Sequence, residues 1–265
     1  MTNFISFPGL GFEFEINRIA FSVFGKPIYW YAIIIAFGFL LAVFYGFSRS
    51  REFDVSDDDI INMLVFAVPF AIVFARLYYV VFNFEPYRNN LVEVFYIWEG
   101  GIAIYGAIIG SSLGALVYCK LKKKRLISFL DIGALGLMIG QAIGRWGNFV
   151  NAEAYGRVTD LPWRMQIGYA ACVHPTFLYE SLWNALGFAI LHFYSKHRKF
   201  CGEIFLLYVF WYGLGRAWIE GLRTDSLYLF GTGIRTSQAL AALTLVVSAA
   251  ILVYKYKRIK SEVKR

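Results

Sequence analysis

The chain has 265 residues, of which 58% are apolar by type, 19% aromatic and only 17% charged, and its formal net charge is +8. An average soluble domain is about a quarter charged and under half apolar, and one water-facing core of this size cannot hide the excess. These figures exclude a disordered, collagen-like or disulfide-stapled chain, and they make the basicity a matter of membrane topology before any nucleic-acid partner.

About 20 mainly apolar residues span a bilayer. Seven windows meet that length, roughly Ile28–Phe47, Ile60–Phe82, Gly100–Cys119, Leu126–Ile143, Pro175–Tyr194, Glu203–Leu222 and Thr236–Tyr254. The runs are continuous rather than ten-residue alternating segments, which argues against a barrel. No basic residue precedes an early apolar run, so the first window is expected to stay in place rather than leave as a signal peptide. Ahead of the second window, Ser56-Asp57-Asp58-Asp59 reads as a helix N-cap with acids at the positive end of the dipole. Arg76 falls inside that window. Gly106, Gly110 and Gly114 in the third window, and Gly136, Gly140 and Gly144 in the fourth, form stripes that let helix backbones approach closely. Gly110-Ser111-Ser112-Leu113-Gly114 matches G-x-S-x-G letter for letter, yet that nucleophile motif needs a strand-to-helix turn, and this copy is embedded in an apolar helix.

Where the fourth window ends, Gly144-Arg145-Trp146-Gly147-Asn148-Phe149-Val150-Asn151-Ala152-Glu153, closed by Tyr155 and Gly156, gathers Arg, two Asn and Glu among glycines. Glycines permit tight turns, and those polar groups supply directed hydrogen bonds at one place. His174-Pro175 then opens the fifth window, with Pro175 suited to a first helical turn and Tyr179-Glu180 just beyond. In the sixth window Tyr212, Arg216 and Glu220 follow at steps of four, on one helix face. A charge inside a span costs at least about 2.5 kcal/mol on insertion scales, so Arg216, and more weakly Arg76, are read as lining a polar cavity.

Sorting Lys and Arg by connection fixes an expected orientation. Sixteen of the 26 lie at residues 49–51, 120–125, 196–199 and 255–265. Eight lie on the opposite side: Arg18, Lys26, Arg88, Arg145, Arg157, Arg164, Arg223 and Arg235. The positive-inside rule then places the N-terminus outside and the C-terminus in the cytoplasm. Cys119 and Cys201 fall near the cytoplasmic side and Cys172 outside, so no pairing or metal spacing is read among them. The expectation is an all-α integral membrane protein of seven transmembrane helices, a single polytopic domain over 1–265 with a structured outer loop at about 144–174. Arginine matches phosphate oxygens two at a time and stays charged, so outer-leaflet arginines point to the phosphodiester of an anionic phospholipid.

The same residues carry a family resemblance. GRWGNFVNAEAYG at Gly144–Gly156 resembles the defining motif of the prolipoprotein diacylglyceryl transferases, integral-membrane enzymes of bacteria. Trp30-Tyr31, Trp98-Glu99-Gly100-Gly101, HPTFLYES from His174 and YGLGRAWIEGLRTDS from Tyr212 agree in order, so the resemblance covers about residues 28–238. It implies seven spans, a bacterial cytoplasmic (inner) membrane location and a site toward the outer leaflet. It further implies transfer of a diacylglyceryl group from phosphatidylglycerol to the lipobox cysteine of a prolipoprotein signal peptide, forming a thioether and releasing glycerol 1-phosphate. No metal, organic cofactor or nucleic acid is called for; the partners are phosphatidylglycerol, the prolipoprotein and membrane lipids.

On that reading Arg145 and Arg216 handle the phosphate, and Arg145, Arg216, Tyr105, Glu153 and Glu220 form the catalytic set. The substrate-binding set is Arg145, Asn148, Asn151, Gly156, Tyr31, Arg76, Tyr212, His174 and Arg223. Many members of the family carry a histidine where this chain has Tyr105, a poor base at neutral pH, and Glu153, Glu220 and His174 are unranked alternatives for thiol activation. A lipid or anion transporter is the rival from another class, but no two-fold internal repeat is visible. A membrane hydrolase lacks any Ser–His or metal-ligand arrangement.

Overall fold

The computed structural model describes residues 2–224 and 235–263. Among them are seven helices of 19–28 residues: α1 (Trp30–Arg49), α2 (Asp57–Phe82), α3 (Ile104–Lys122), α4 (Leu126–Asn151), α5 (Thr176–Ser195), α6 (Glu203–Leu222) and α7 (Thr236–Val263). Each begins near one of the apolar windows. Five, α1 to α4 and α7, are long and apolar enough to cross a membrane. α5 and α6 have 20 residues each, about 30 Å of helix, but carry Glu180, Asn184, Arg216 and Glu220 among their apolar residues.

The all-α expectation needs an addition, because the described residues also hold five short strands: β1 (Thr2–Phe7), β2 (Phe12–Asn17), β3 (Ile19–Val23), β4 (Lys26–Tyr29) and β5 (Gln166–Ile167). By contacts the chain forms two compact units, one of residues 1–45 with 131–265, the other of residues 46–130.

In the first unit, β1 pairs antiparallel with β2 and with β5, giving the order β2-β1-β5. Its inward residues Ile5 and Phe7 meet Phe149, Met165, Val173 and Phe177 in one buried cluster. Burying such side chains is worth about 1.5–3 kcal/mol each, and the cluster fastens the last turn of α4 and the first turn of α5 to one sheet. Asn3 adds a hydrogen bond from its amide to the Val150 carbonyl at 2.8 Å. The β3–β4 hairpin runs directly into α1.

α4 continues two turns past the expected end at Ile143, so Gly144–Asn151 is helix rather than loop. Of its glycines, Gly144 and Gly147 stand where side chains crowd the backbone, whereas a Cβ on Gly140 would meet nothing within 4 Å and one on Gly136 only ordinary contact at 3.4 Å, so the expected stripe of Gly136, Gly140 and Gly144 is not a close-packing seam. A Cβ on Gly147 would lie 2.6 Å from the Tyr31 ring, and one on Gly144 would lie 3.1 Å from Ile35. The helix stops at Ala152, held at φ +53. There the Glu153 N–H reaches back to the Asn148 carbonyl at 3.0 Å and the Ala152 N–H to that of Phe149 at 3.0 Å, a Schellman-type ending with alanine in the place usually taken by glycine.

α5 and α6 are locked by a reciprocal exchange. Trp183 donates its indole N–H to the Trp211 carbonyl at 3.1 Å, and Trp211 donates to the Trp183 carbonyl at 3.0 Å. The two rings stack at 4.4 Å. Each indole lies over a glycine of the facing helix: a Cβ on Gly215 would stand 2.2 Å from the Trp183 ring nitrogen, and one on Gly187 2.3 Å from that of Trp211. This pins the register that sets Glu180 of α5 against Arg216 of α6. At the other end of the hairpin, Asp131 of α4 accepts from the Gly202 and Phe205 N–H groups at 2.7 and 2.9 Å, capping α6 from a different helix. α7 packs on α6 through Gly213, where a Cβ would lie 2.9 Å from the Ala241 carbonyl oxygen.

In the second unit α2 and α3 form a close hairpin. A Cβ on Gly106, Gly110 or Gly114 would lie 2.3, 2.2 or 2.7 Å from the carbonyl oxygens of Phe74, Phe70 and Phe66. The G-x-S-x-G string is thus a helix-packing seam. Ser56 and Asp59 make a reciprocal capping box on α2. Asp59 also accepts from Tyr118 and Lys124, each at 2.7 Å, which joins the α2 start to the α3 end.

Candidate active site

The site builds up from three helices of the first unit. α4 supplies Arg145 and Asn148, α5 supplies Glu180, and α6 supplies Tyr212, Arg216 and Glu220, with Arg223 just past its end. Their common centre is the Glu180 carboxylate, only 5% exposed. Arg145 Nη2 pairs with Glu180 Oε2. Arg216 Nη1 stands 3.3 and 3.4 Å from its two oxygens, and Arg223 Nη1 donates to Oε1 at 3.1 Å. Arg216 turns its other terminal nitrogen to Glu220 at 2.7 Å, four residues along the same helix face. Three guanidinium groups against two carboxylates leave one net positive charge in this cluster.

A second tier orients Arg145. Its Nη1 donates to Asn148 Oδ1 at 3.3 Å. Asn148 in turn donates to Glu153 Oε1 at 2.9 Å, and Asn151 donates to that oxygen at 3.4 Å. Glu153 is exposed, so the motif 144–156 reads physically as a chain of contacts from a solvent-facing carboxylate through an amide to a largely buried guanidinium. Two left-handed alanines, Ala152 and Ala154 at φ +53 and +55, bend the backbone that makes this return possible. Left-handed non-glycine residues are strained and cluster at functional sites.

Gly156 holds the far end. Its backbone bridges to Arg223, its N–H donates to the His174 carbonyl at 2.9 Å, and Arg157 N–H donates to the Leu222 carbonyl at 2.8 Å. A Cβ there would come within 2.6 Å of the His174 Cβ and 3.1 Å of the Leu222 carbonyl oxygen. The absence of a side chain therefore lets the loop and the end of α6 meet, which fixes Arg223. His174 Nδ1 lies 3.2 Å from the Tyr179 hydroxyl, which also accepts from the Trp163 indole at 2.8 Å. Burial holds the His174 ring below the ordinary imidazole pKa, so it is neutral at pH 7.

Of the residues singled out in the sequence, Arg145, Arg216, Arg223, Glu220, Asn148, Asn151 and Glu153 join this connected set. Tyr31 packs its ring against Gly147. Tyr212 lines a small cavity with Glu180, Asn184 and Arg216. Arg76 and Tyr105 belong to the second unit. Arg76 donates to the backbone carbonyls of Glu93, Val94, Gly100 and Gly101 at 2.7–2.9 Å, with the Tyr87 ring 5.0 Å from its guanidinium carbon. Tyr105 is partly exposed beside Tyr78. Asp225 and Ser226, the last residues of the motif from Tyr212, lie outside the described residues. The residue that sequence reasoning left without a role is Glu180. An acid within an apolar helix demands a compensating partner, and that demand was the available signal.

Comparison with known proteins agrees with the motif reading. The family profile described as prolipoprotein diacylglyceryl transferase matches residues 18–254. The chain is 43% identical over 258 residues to the phosphatidylglycerol–prolipoprotein diacylglyceryl transferase of Oceanobacillus iheyensis, covering 92% of this chain and 90% of that one. It is 45% identical over 252 residues to the protein of the same name from Finegoldia magna, covering 94% and 100%. With that of Clostridioides difficile the identity is 38% over 248 residues, covering 94% and 99%.

Proposed function

Since the chain belongs to the prolipoprotein diacylglyceryl transferase family, we propose that the arginine cluster around Glu180 is where its reaction takes place. The chain is an enzyme of lipoprotein maturation, moving the diacylglyceryl group of phosphatidylglycerol to a prolipoprotein. The convergence of Arg145, Arg216 and Arg223 on one carboxylate carries the assignment. The net positive charge of the cluster complements the single negative charge of a phosphodiester, and Arg145 and Arg216 keep part of their side chains accessible.

In this reading the lipobox thiol loses its proton and the sulfur attacks the glycerol carbon bearing the phosphate ester. A C–S bond forms, the C–O bond breaks, and its electron pair leaves on glycerol 1-phosphate. Negative charge grows on the departing phosphate, where guanidinium groups held in advance by Glu180, Glu220 and Asn148 lower the barrier. A thiol is already a few per cent ionised at neutral pH, so the demand on a base is modest. Glu153 and neutral His174 are the basic groups at the edge of this unit.

The membrane placement supports the same reading. The charge distribution is that of seven spans with the N-terminus outside and the C-terminus cytoplasmic. α5 and α6 complete the seven, their charges neutralised against one another rather than facing lipid. The end of α4 and the start of α5 then sit at the outer leaflet of the bacterial inner membrane, where the headgroup phosphate of phosphatidylglycerol lies. The test is purified protein in detergent with phosphatidylglycerol and a lipobox peptide. Thioether product with stoichiometric glycerol phosphate is expected. Absence of both, under conditions in which a relative is active, would overturn the assignment.

A further inference from the structure

Beneath the arginine cluster lies a partly open cavity with room for about one water-sized group. Its lining includes Glu180, Asn184, Tyr212 and Arg216. Asn184 is 4% exposed. Its amide N–H donates to the Glu180 carbonyl one turn back at 2.8 Å, which fixes the orientation of the amide. Its carbonyl oxygen Oδ1 is buried and accepts no hydrogen bond from the protein. An unsatisfied buried acceptor is a standing destabilisation, and the acyl chains of a lipid offer nothing to relieve it. A hydroxyl does.

We propose that this cavity is a hydroxyl subsite, in which Asn184 Oδ1 accepts from the glycerol headgroup of the phospholipid and so selects that headgroup. The inference rests on the phosphate site assigned above, because Arg216 borders both. The headgroup hydroxyls of phosphatidylglycerol are only two or three carbons from the phosphate, so a phosphate on Arg216 brings them to the cavity. A headgroup without a hydroxyl leaves the oxygen unpaired, and sites built to bind a hydroxyl reject analogues that lack it.

The experiment compares phosphatidylglycerol with phosphatidylpropanol, which has the same charge and no free hydroxyl. Two readouts are used, thioether formation and displacement of a fluorescent anionic lipid from the detergent-purified protein. The wild type is expected to favour phosphatidylglycerol at least tenfold in both. In Asn184→Leu, which removes the acceptor, the preference shrinks to below threefold. Asn184→Ala shows the same loss; it too removes the acceptor, and alanine favours the helix, so the test holds if leucine is not tolerated. Equal handling of the two lipids by the wild type, or an unchanged preference in the alanine variant, overturns the subsite. Absent thioether formation with the displacement preference intact overturns the reaction reading instead, leaving the hydroxyl subsite standing.

Discussion

Replacing Glu180 by glutamine tests the arrangement at its centre. The substitution keeps size, shape and one acceptor oxygen but removes the charge that holds Arg145, Arg216 and Arg223. At an effective dielectric of about 20, two unit charges 4 Å apart attract by about 4 kcal/mol, and three such attractions are lost together. Much of that gross figure is offset, because the carboxylate no longer has to be desolvated and the amide oxygen still accepts. Breaking a buried ion pair costs about 3–5 kcal/mol net. The low end fits here, since Arg145 and Arg216 keep part of their side chains accessible. A loss of about 3 kcal/mol lowers the folded-to-unfolded ratio more than 100-fold, readable as a shift in denaturant midpoint in mild detergent. Kinetics separate alignment from attraction: with more net positive charge in the cluster, KM for phosphatidylglycerol is not raised, whereas kcat falls 100-fold or more because the guanidinium groups are no longer aimed. Wild-type stability together with wild-type kcat would refute the reasoning.

Arg145→Lys keeps the charge but loses the fork that reaches both Glu180 and Asn148; kcat/KM is expected to fall by 10²–10³-fold, as for loss of one transition-state donor, with membrane expression unchanged. Ala152→Gly relieves a left-handed alanine at the end of α4 and should stabilise the protein by about 1 kcal/mol, seen as a higher midpoint with activity retained. Acidification should weaken the fold through His174. Its ring binds a proton less readily folded than unfolded, so its contribution is full above about pH 6.5 and is lost as pH falls through its lower folded value. His174→Asn should flatten that part of the stability–pH curve, and an unaltered slope would assign the dependence elsewhere.

The helices were legible because lipid-facing sequence repeats one message for 20 residues at a time. The last two turns of α4 were not. Gly144, Arg145, Gly147 and Asn148 look like a loop in isolation, yet they are helical, and the two glycines mark where Ile35 and Tyr31 occupy the space that side chains would need. The N-terminal strands were likewise missed, although Phe12-Glu13-Phe14-Glu15 alternates cleanly. β1 is buried along half its length without alternating, and its partner β5 lies over 150 residues away. At the site, Tyr212, Arg216 and Glu220 could be read from one helix face. Glu180 could not be assigned, because its partners sit 35 to 43 residues distant on other elements. For Arg76, four backbone carbonyls satisfy the charge, and carbonyl acceptors have no sequence signature.

An acid at the centre of a phosphate site has a physical logic in the proposed reaction. Three arginines alone would bind any phosphate tightly, substrate and product alike, and uniform binding does not raise kcat. The phosphodiester carries one negative charge, but a phosphate monoester carries about 1.5 to 2 at pH 7, so the product would be held more strongly than the substrate. Glu180 and Glu220 bring the net charge of the cluster down to match the diester. The same carboxylates hold the guanidinium groups where charge develops. Positive charge is thus kept directional while its total is limited, so stabilisation concentrates on the transition state and the doubly charged product is released. Glu220→Gln should accordingly slow the release of glycerol phosphate more than it slows thioether formation. A pre-steady-state burst of thioether with substrate in excess over enzyme, followed by slow steady turnover, would show it, and loss of the burst itself would place Glu220 in the chemical step instead.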